Sequence, residues 1–288
     1  MNQGPKRQHW LPCAYLQFFS IDGQPHGRET QIYFTDGRSS QITSVNNLAV
    51  AKYTYSRTNP ECDSVFHNME KNYPPIIKNI LKGNQLTKKD KYGLIMMMFD
   101  LNLRNVVYEN RTEMERIKLY EGISRAFVGS MFEETTGKGN DFNEMASHLE
   151  KNWELDSLRS TSGEKFISSD NPSMIIADKN SSRPVLVCLP IHPDLAMIAY
   201  DKRTSEIISN SITDDALGIL NGLQIKLSVR HTFSDHDIML PPTTSKRVQE
   251  LLDQEKPERW IDQDWWHDGF IKFHSPFIDR LEFIKRVE

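Results

Sequence analysis

An α+β fold, rather than a repeating βαβ one, is what this sequence predicts, on three observations. Short runs at the N-terminus read as strands joined by turn chemistry: Gln31–Thr35, then Asp36-Gly37, then 41–44. The middle of the chain carries apolar residues at helical spacing. After Glu164 the apolar runs shorten to strand length at 173–177, 184–189 and 195–200, separated by Asn, Ser, Pro and Asp. Strands at both ends and helices between them imply segregated layers. The expected architecture is a central helical bundle around a buried apolar helix at about 87–108. It packs on a mostly antiparallel sheet built from the N-terminal strands and those of 165–200. Residues 1–235 read as a single α+β domain, and 236–288 as a helical, Trp-rich extension packed on the same body.

Taken in order, residues 9–20 are rich in aromatic and apolar side chains and close on the Asp22-Gly23 turn. Helical spacing runs from 61 to 81 through Val65, Phe66, Met69, Tyr73, Ile76, Ile77 and Ile80, with Pro74 and Pro75 kinking or dividing the helix. Thr87 is a good N-cap, and Asp90 three residues later completes a start resembling a capping box. The following apolar stretch contains Asp100, Asn102, Arg104 and Asn105, so it reads as a buried helix and not a membrane span. A charged amphipathic helix is expected at 111–134, a flexible break at 135–140, and a further helix at 142–158 on the spacing of Met145, Leu149 and Trp153. Thr213, with Asp214 and Asp215 behind it, starts a helix expected to reach Thr232. Another is expected at 245–254.

The chain has 288 residues, 26% of them charged, and a net charge of −4. That balance is globular and gives no whole-chain basic field for nucleic acid. The first ten residues hold basic groups without an apolar run behind them, so no secretory signal is read there. The three cysteines (Cys13, Cys62 and Cys188) are odd in number and far apart, which fits reduced thiols and a cytoplasmic location. Phosphate-loop, dinucleotide, zincin and hydrolase-elbow signatures are absent.

The candidate centre is the stretch 164–172 (EKFISSDNP), where a short apolar strand delivers Ser168, Ser169 and Asp170 into a turn opened by Pro172. In one reading these groups only bond their own turn. In the other they join a site. Asp100 and Arg104, one turn apart on the apolar helix, are either a packing salt bridge or a fork offered to a substrate anion. His9 and Glu70 are assigned beside Asp170: a histidine with two carboxylates can move protons or hold a divalent ion that activates water. His231, Asp235, His236 and Asp237 form a dense local cluster, read as a solvated turn with a metal site as the alternative. Trp260, Trp265, Trp266, His267, Phe270 and Phe273 read as a tail packing on the body or docking a partner.

Several spaced motifs carry a resemblance. His9-x-x-Pro12-x-x-Tyr15-Leu16-x-x-Phe19, the Ile32-Tyr33 strand, Glu70, Leu103-Arg104, Phe166-Ile167-x-Ser169-Asp170-Asn171-Pro172 and Leu189-Pro190-Ile191 resemble a bacterial domain-of-unknown-function family. Its members open with His-Tyr-Val-Pro-x-x-Tyr-Leu-x-x-Phe and carry Ser-Asp-Asn-Pro. The resemblance covers about 9–235 and implies a shared fold without supplying an activity. Trp10 stands where the family prefers Tyr, and Asn102 where a Gln is usual. The leading functional expectation is a hydrolase acting on a phosphorylated or nucleic-acid substrate. In it His9, Glu70 and Asp170 are catalytic, Arg104, Ser168 and Asn102 bind substrate, and Asp170 and Glu70 hold a divalent metal ion. The alternative is a non-catalytic binding module whose polar residues form a structural network. Its partner would be a protein, or a second copy, met through the tail at 260–273.

Overall fold

The computed structural model describes residues 7–52, 70–103, 151–161, 163–177, 184–228, 230–238, 258–259, 271–274 and 281–287. Strand β1 (Arg7–His9) pairs antiparallel with β4 (Val50–Lys52). Between them lie a short helix α1 (Cys13–Leu16), a 3₁₀ turn at Gln17–Phe19, and the hairpin of β2 (Gln31–Thr35) and β3 (Ser40–Ser44). Tyr15, Leu16 and Phe19 are fully buried, so this aromatic segment is core.

Helix α2 (Tyr73–Leu81) holds Pro74 and Pro75 in its first turn, after a turn at 71–72 that follows helical Glu70. The prolines therefore open α2, because a first-turn proline gives up an amide that has no intrahelical partner anyway, and residues 61–69 of the expected helix lie outside the described residues. Helix α3 (Lys88–Leu103) starts on the expected cap. The Thr87 amide and hydroxyl both donate to Asp90 Oδ2, and the Asp90 amide donates to Thr87 Oγ1 at 3.1 Å.

Strand β5 (Trp153–Ser160) lies where a helix was expected up to 158. The helical spacing of Met145, Leu149 and Trp153 does not carry through. Trp153 to Arg159 pair antiparallel with β9 (Leu195–Asp201), a partner more than 30 residues away that local periodicity cannot register. The remaining strands are β6 (Ser168–Ser169), β7 (Met174–Ala177), β8 (Pro184–His192), β10 (Ser205–Ile207), β11 (Ser211–Ile212), β12 (Thr232–Ser234), β13 (Glu258–Arg259), β14 (Ile271–His274) and β15 (Ile284–Arg286). Helix α4 (Asp214–Leu227) begins with the Thr213 hydroxyl accepting the Ala216 amide, as expected. It stops short of Thr232, whose segment becomes β12.

Two larger sheets result, where one was expected. Seven strands run in the order β11-β5-β9-β8-β7-β14-β13, antiparallel except for the β11/β5 and β14/β7 pairs. The N-terminal β2 and β3 belong instead to a four-stranded sheet, β3-β2-β12-β6. The described tail supplies strands to the body: β14 extends the large sheet beside β7, and β15 pairs with β10. Residues 245–254 and 260–270, and the expected helices at 111–134 and 142–150, lie outside the described residues.

The large sheet is covered on both faces, which explains the unbroken apolar runs of β7, β8 and β9. Ile175, Val187, Leu189, Met197 and Ala199 face α1, α2 and α3. Met174, Ile176, Leu186, Cys188, Ala196 and Ile198 alternate to the other face and meet α4, Leu281 and Phe283. Each Val, Leu, Ile or Met side chain among them contributes on the order of 1.5–3 kcal/mol by burial. Helices thus lie on both faces of the sheet among the described residues.

Candidate functional site

The stretch 166–173 crosses from the four-stranded sheet to β7, and its backbone has no continuous ladder to satisfy it. Side chains from elsewhere supply the missing partners. Asn221 on α4 acts as a substitute strand: its Oδ1 accepts the Ile167 amide at 3.1 Å and its Nδ2 donates to the Lys165 carbonyl at 2.9 Å. Gln224, one turn further, donates to Ser169 Oγ at 2.5 Å and to the Asn171 carbonyl at 2.8 Å. Ser168 and Ser169 pair with Phe233 and Thr232 of β12.

Ser168 and Tyr15 close the next link. The Tyr15 hydroxyl donates to the Pro190 carbonyl at 2.5 Å. With its single proton so committed, it accepts from Ser168 Oγ at 2.8 Å. Burial holds the Tyr15 phenol well above the ordinary tyrosine range, so it stays neutral. The loop is finished by Asn102 on α3, whose Nδ2 donates to the Ser173 carbonyl at 2.7 Å.

Asp170 is 2% exposed. Its amide donates to the His231 carbonyl at 3.0 Å, and its Oδ2 accepts the amides of Arg230 at 2.8 Å and His231 at 3.3 Å. A buried carboxylate taking two backbone N–H groups is a capping arrangement, and it ties the entry of β12 to β6. The Arg230 guanidinium lies 5.4 Å from the centre of the Trp10 ring, a cation–π contact joining the same corner to the N-terminal motif. His231 packs edge-on against Phe34 at 5.3 Å, apart from the rest of its expected cluster.

Two of the expected site residues, Ser168 and Asp170, therefore lie on one buried segment, and a third, Asn102, bonds its end from α3. His9 is placed by other bonds: its Nδ1 lies 3.1 Å from the Leu48 carbonyl. Cys13 Sγ stands 3.6 Å from both ring nitrogens of His9. Equal distances put the sulfur over the ring face, since an in-plane position would crowd a ring carbon. The pair is a sulfur–aromatic contact, not a thiol aimed at an imidazole lone pair. Glu70 is half-buried at the helical end before α2. Arg104 lies outside the described residues. Asp100, its expected partner, is fully buried and accepts from Tyr73 Oη at 3.0 Å.

Asp235 and His236 form a surface pair, with His236 Nδ1 2.6 Å from Asp235 Oδ1 and Lys165 Nζ 2.6 Å from Oδ2. Burial pushes the Asp235 carboxyl up, but the bonds from His236 and Lys165 outweigh it and leave it below the usual range. Among the described residues, no group of three or more His, Cys, Asp or Glu side chains is placed to hold a metal ion.

The sequence reading missed Tyr15, Asn221 and Gln224 as partners of the motif. A signal was present: Asn221 and Gln224 sit three apart on a helix otherwise lined by Leu217, Leu220, Leu223 and Leu227, where a polar pair needs a reason. The polar interior is not fully matched. Among the described residues, both amide atoms of Asn171, Ser173 Oγ and Gln224 Oε1 are buried without a hydrogen-bond partner.

The fold and this segment define a mixed α and β protein whose Ser-Ser-Asp-Asn-Pro motif is an internal polar junction. The chain belongs to the family described as protein of unknown function (DUF4238), whose match spans residues 7–237, from β1 to just past β12. Neither the curated proteins nor the solved structures give a match. No helix among the described residues is long and apolar enough to cross a membrane.

Proposed function

We propose that the chain is a non-catalytic binding module, cytoplasmic and of bacterial type, in which the 166–173 motif is structural. The observation that carries this reading is the Asp170 carboxylate, 2% exposed, with its Oδ2 accepting two backbone amides from the entry of β12. A general base must reach the proton it abstracts, and a ligand to a catalytic metal must share its oxygens with the ion and its water. A carboxylate 2% exposed, with one oxygen committed to two backbone amides, is poorly placed for either role. Ser168 points the same way, because its hydroxyl is buried against Tyr15 and faces no solvent.

The competing reading is the hydrolase in which His9, Glu70 and Asp170 are catalytic, Arg104, Ser168 and Asn102 bind substrate, and a divalent metal ion sits on Asp170 and Glu70. The two separate on Asp170→Ala. As a cap, Asp170 contributes about 1–3 kcal/mol, because its loss removes the acceptor of two part-buried amides and the tie between β12 and β6. The expected result is a fall in Tm of roughly 2–12 °C by circular dichroism. Divalent metals should leave the wild-type Tm unmoved. A variant that melts like the wild type, or a wild type stabilised by metal in a way Asp170→Ala abolishes, would return the motif to catalysis.

A further inference from the structure

Strand β3 is the outer edge of the four-stranded sheet, and among the described residues no strand pairs with its far side. Other edges of the two larger sheets are blunted by length: β6, β11 and β13 are two residues each, against five in β3. A five-residue edge with no described partner is a template for a further strand.

The hydrogen-bond parity of the hairpin decides which residues face outward. The Val45 amide bonds the Thr30 carbonyl at 2.9 Å, while the Gln31 carbonyl turns away to the Ile21 amide at 3.0 Å. Hydrogen-bonded and non-bonded pairs alternate along an antiparallel ladder. Starting from Thr30/Val45, the bonded pairs are Ile32/Thr43 and Phe34/Gln41, and the non-bonded ones are Gln31/Ser44, Tyr33/Ile42 and Thr35/Ser40. Ser40, Ile42 and Ser44 thus direct their N–H and C=O groups away from β2.

The order Ser40-Gln41-Ile42-Thr43-Ser44 is nearly symmetric about Ile42. A two-fold axis there sets Ile42 against Ile42 of the other copy, and each Ser40 against the other's Ser44. All three pairs draw on the outward-facing backbone groups. Side chains directly opposite share a face, so Ile42, which is 53% exposed, would meet its own copy with the half-buried Tyr33 beside it. An isologous contact also brings each residue near itself, so any charge at its centre would repel its copy. From Ser39 to Ala51 the chain carries no charged residue, in a sequence that is 26% charged.

We propose that the protein self-associates as a two-fold dimer through β3, joining the two four-stranded sheets into one continuous eight-stranded sheet. The contact is short, so the dimer is weak and concentration-dependent. It is tested on the full chain by sedimentation velocity over a range of concentrations, for the wild type, Ile42→Lys and Ile42→Pro. The outward Ile42 amide is not used by β2, so proline removes an intermolecular donor without breaking the hairpin. Lysine places two like charges across the axis without touching the backbone.

The expected result is a wild type whose mass rises from one 33.4 kDa chain toward two with concentration, and variants at least tenfold weaker in association. Circular dichroism checks that each variant is folded, with Ile42→Lys deciding if the proline variant is not. A wild type that stays a single chain at every concentration would overturn the proposal. So would a dimer that Ile42→Lys leaves intact.

Discussion

Tyr15 shows how one residue can bind distant pieces of chain together. Its hydroxyl bridges Ser168 and the Pro190 carbonyl, which are 153 and 175 residues away in sequence, at a point where no strand ladder connects them. Tyr15→Phe keeps the ring in the core and leaves an acceptor and a hydroxyl unmatched. The expected cost is about 1–3 kcal/mol, read from the urea midpoint at an unchanged slope. An unchanged midpoint would mean that Ser168 finds another partner. The motif's importance was legible from its residue types, but its direction was not. Whether Asp170 faces a cleft or the interior depends on the Arg230 and His231 amides arriving 60 residues later, and no local spacing announces them.

Among the elements, those set by local chemistry were legible and those set by pairing were not. Thr87/Asp90 and Thr213 are self-contained caps, so both helix starts stand where the residues put them. The runs of β7, β8 and β9 are apolar on both faces and too short for helices. By contrast β5 takes its conformation from β9, and β12 from β2 and β6. The β8–β9 hairpin makes a prediction of its own through His192. Its Nδ1 accepts the Asp194 amide at 3.2 Å, which requires that nitrogen unprotonated. Burial holds its pKa below the ordinary 6.5, with Asp194 and Asp235 opposing and Lys165 and Arg159 adding to the shift. The unfolded chain therefore takes up this proton more readily than the folded one. The contribution is complete above pH 6.5 and is lost as the pH falls through that value toward the folded one. Unfolding free energies measured from pH 7.5 to 5.5 should decline more steeply in the wild type than in His192→Asn. Parallel declines would remove His192 as the source.

At the scale of the molecule, three bodies of structure meet at residues 166–173. These are the N-terminal motif through Tyr15 and Trp10, the seven-stranded sheet through β7 and Pro190, and α4 through Asn221 and Gln224. A segment that serves all three cannot open without separating them. Native-state hydrogen exchange tests this directly. The amides of Ile167, Asp170 and Asn171 should exchange with the same opening free energy as those of Val187 and Cys188 at the centre of β8, through global unfolding alone. Exchange of the motif amides at a much lower opening free energy, while β8 stays protected, would contradict the account and leave 166–173 as an accessible site carried on a fold that does not need it.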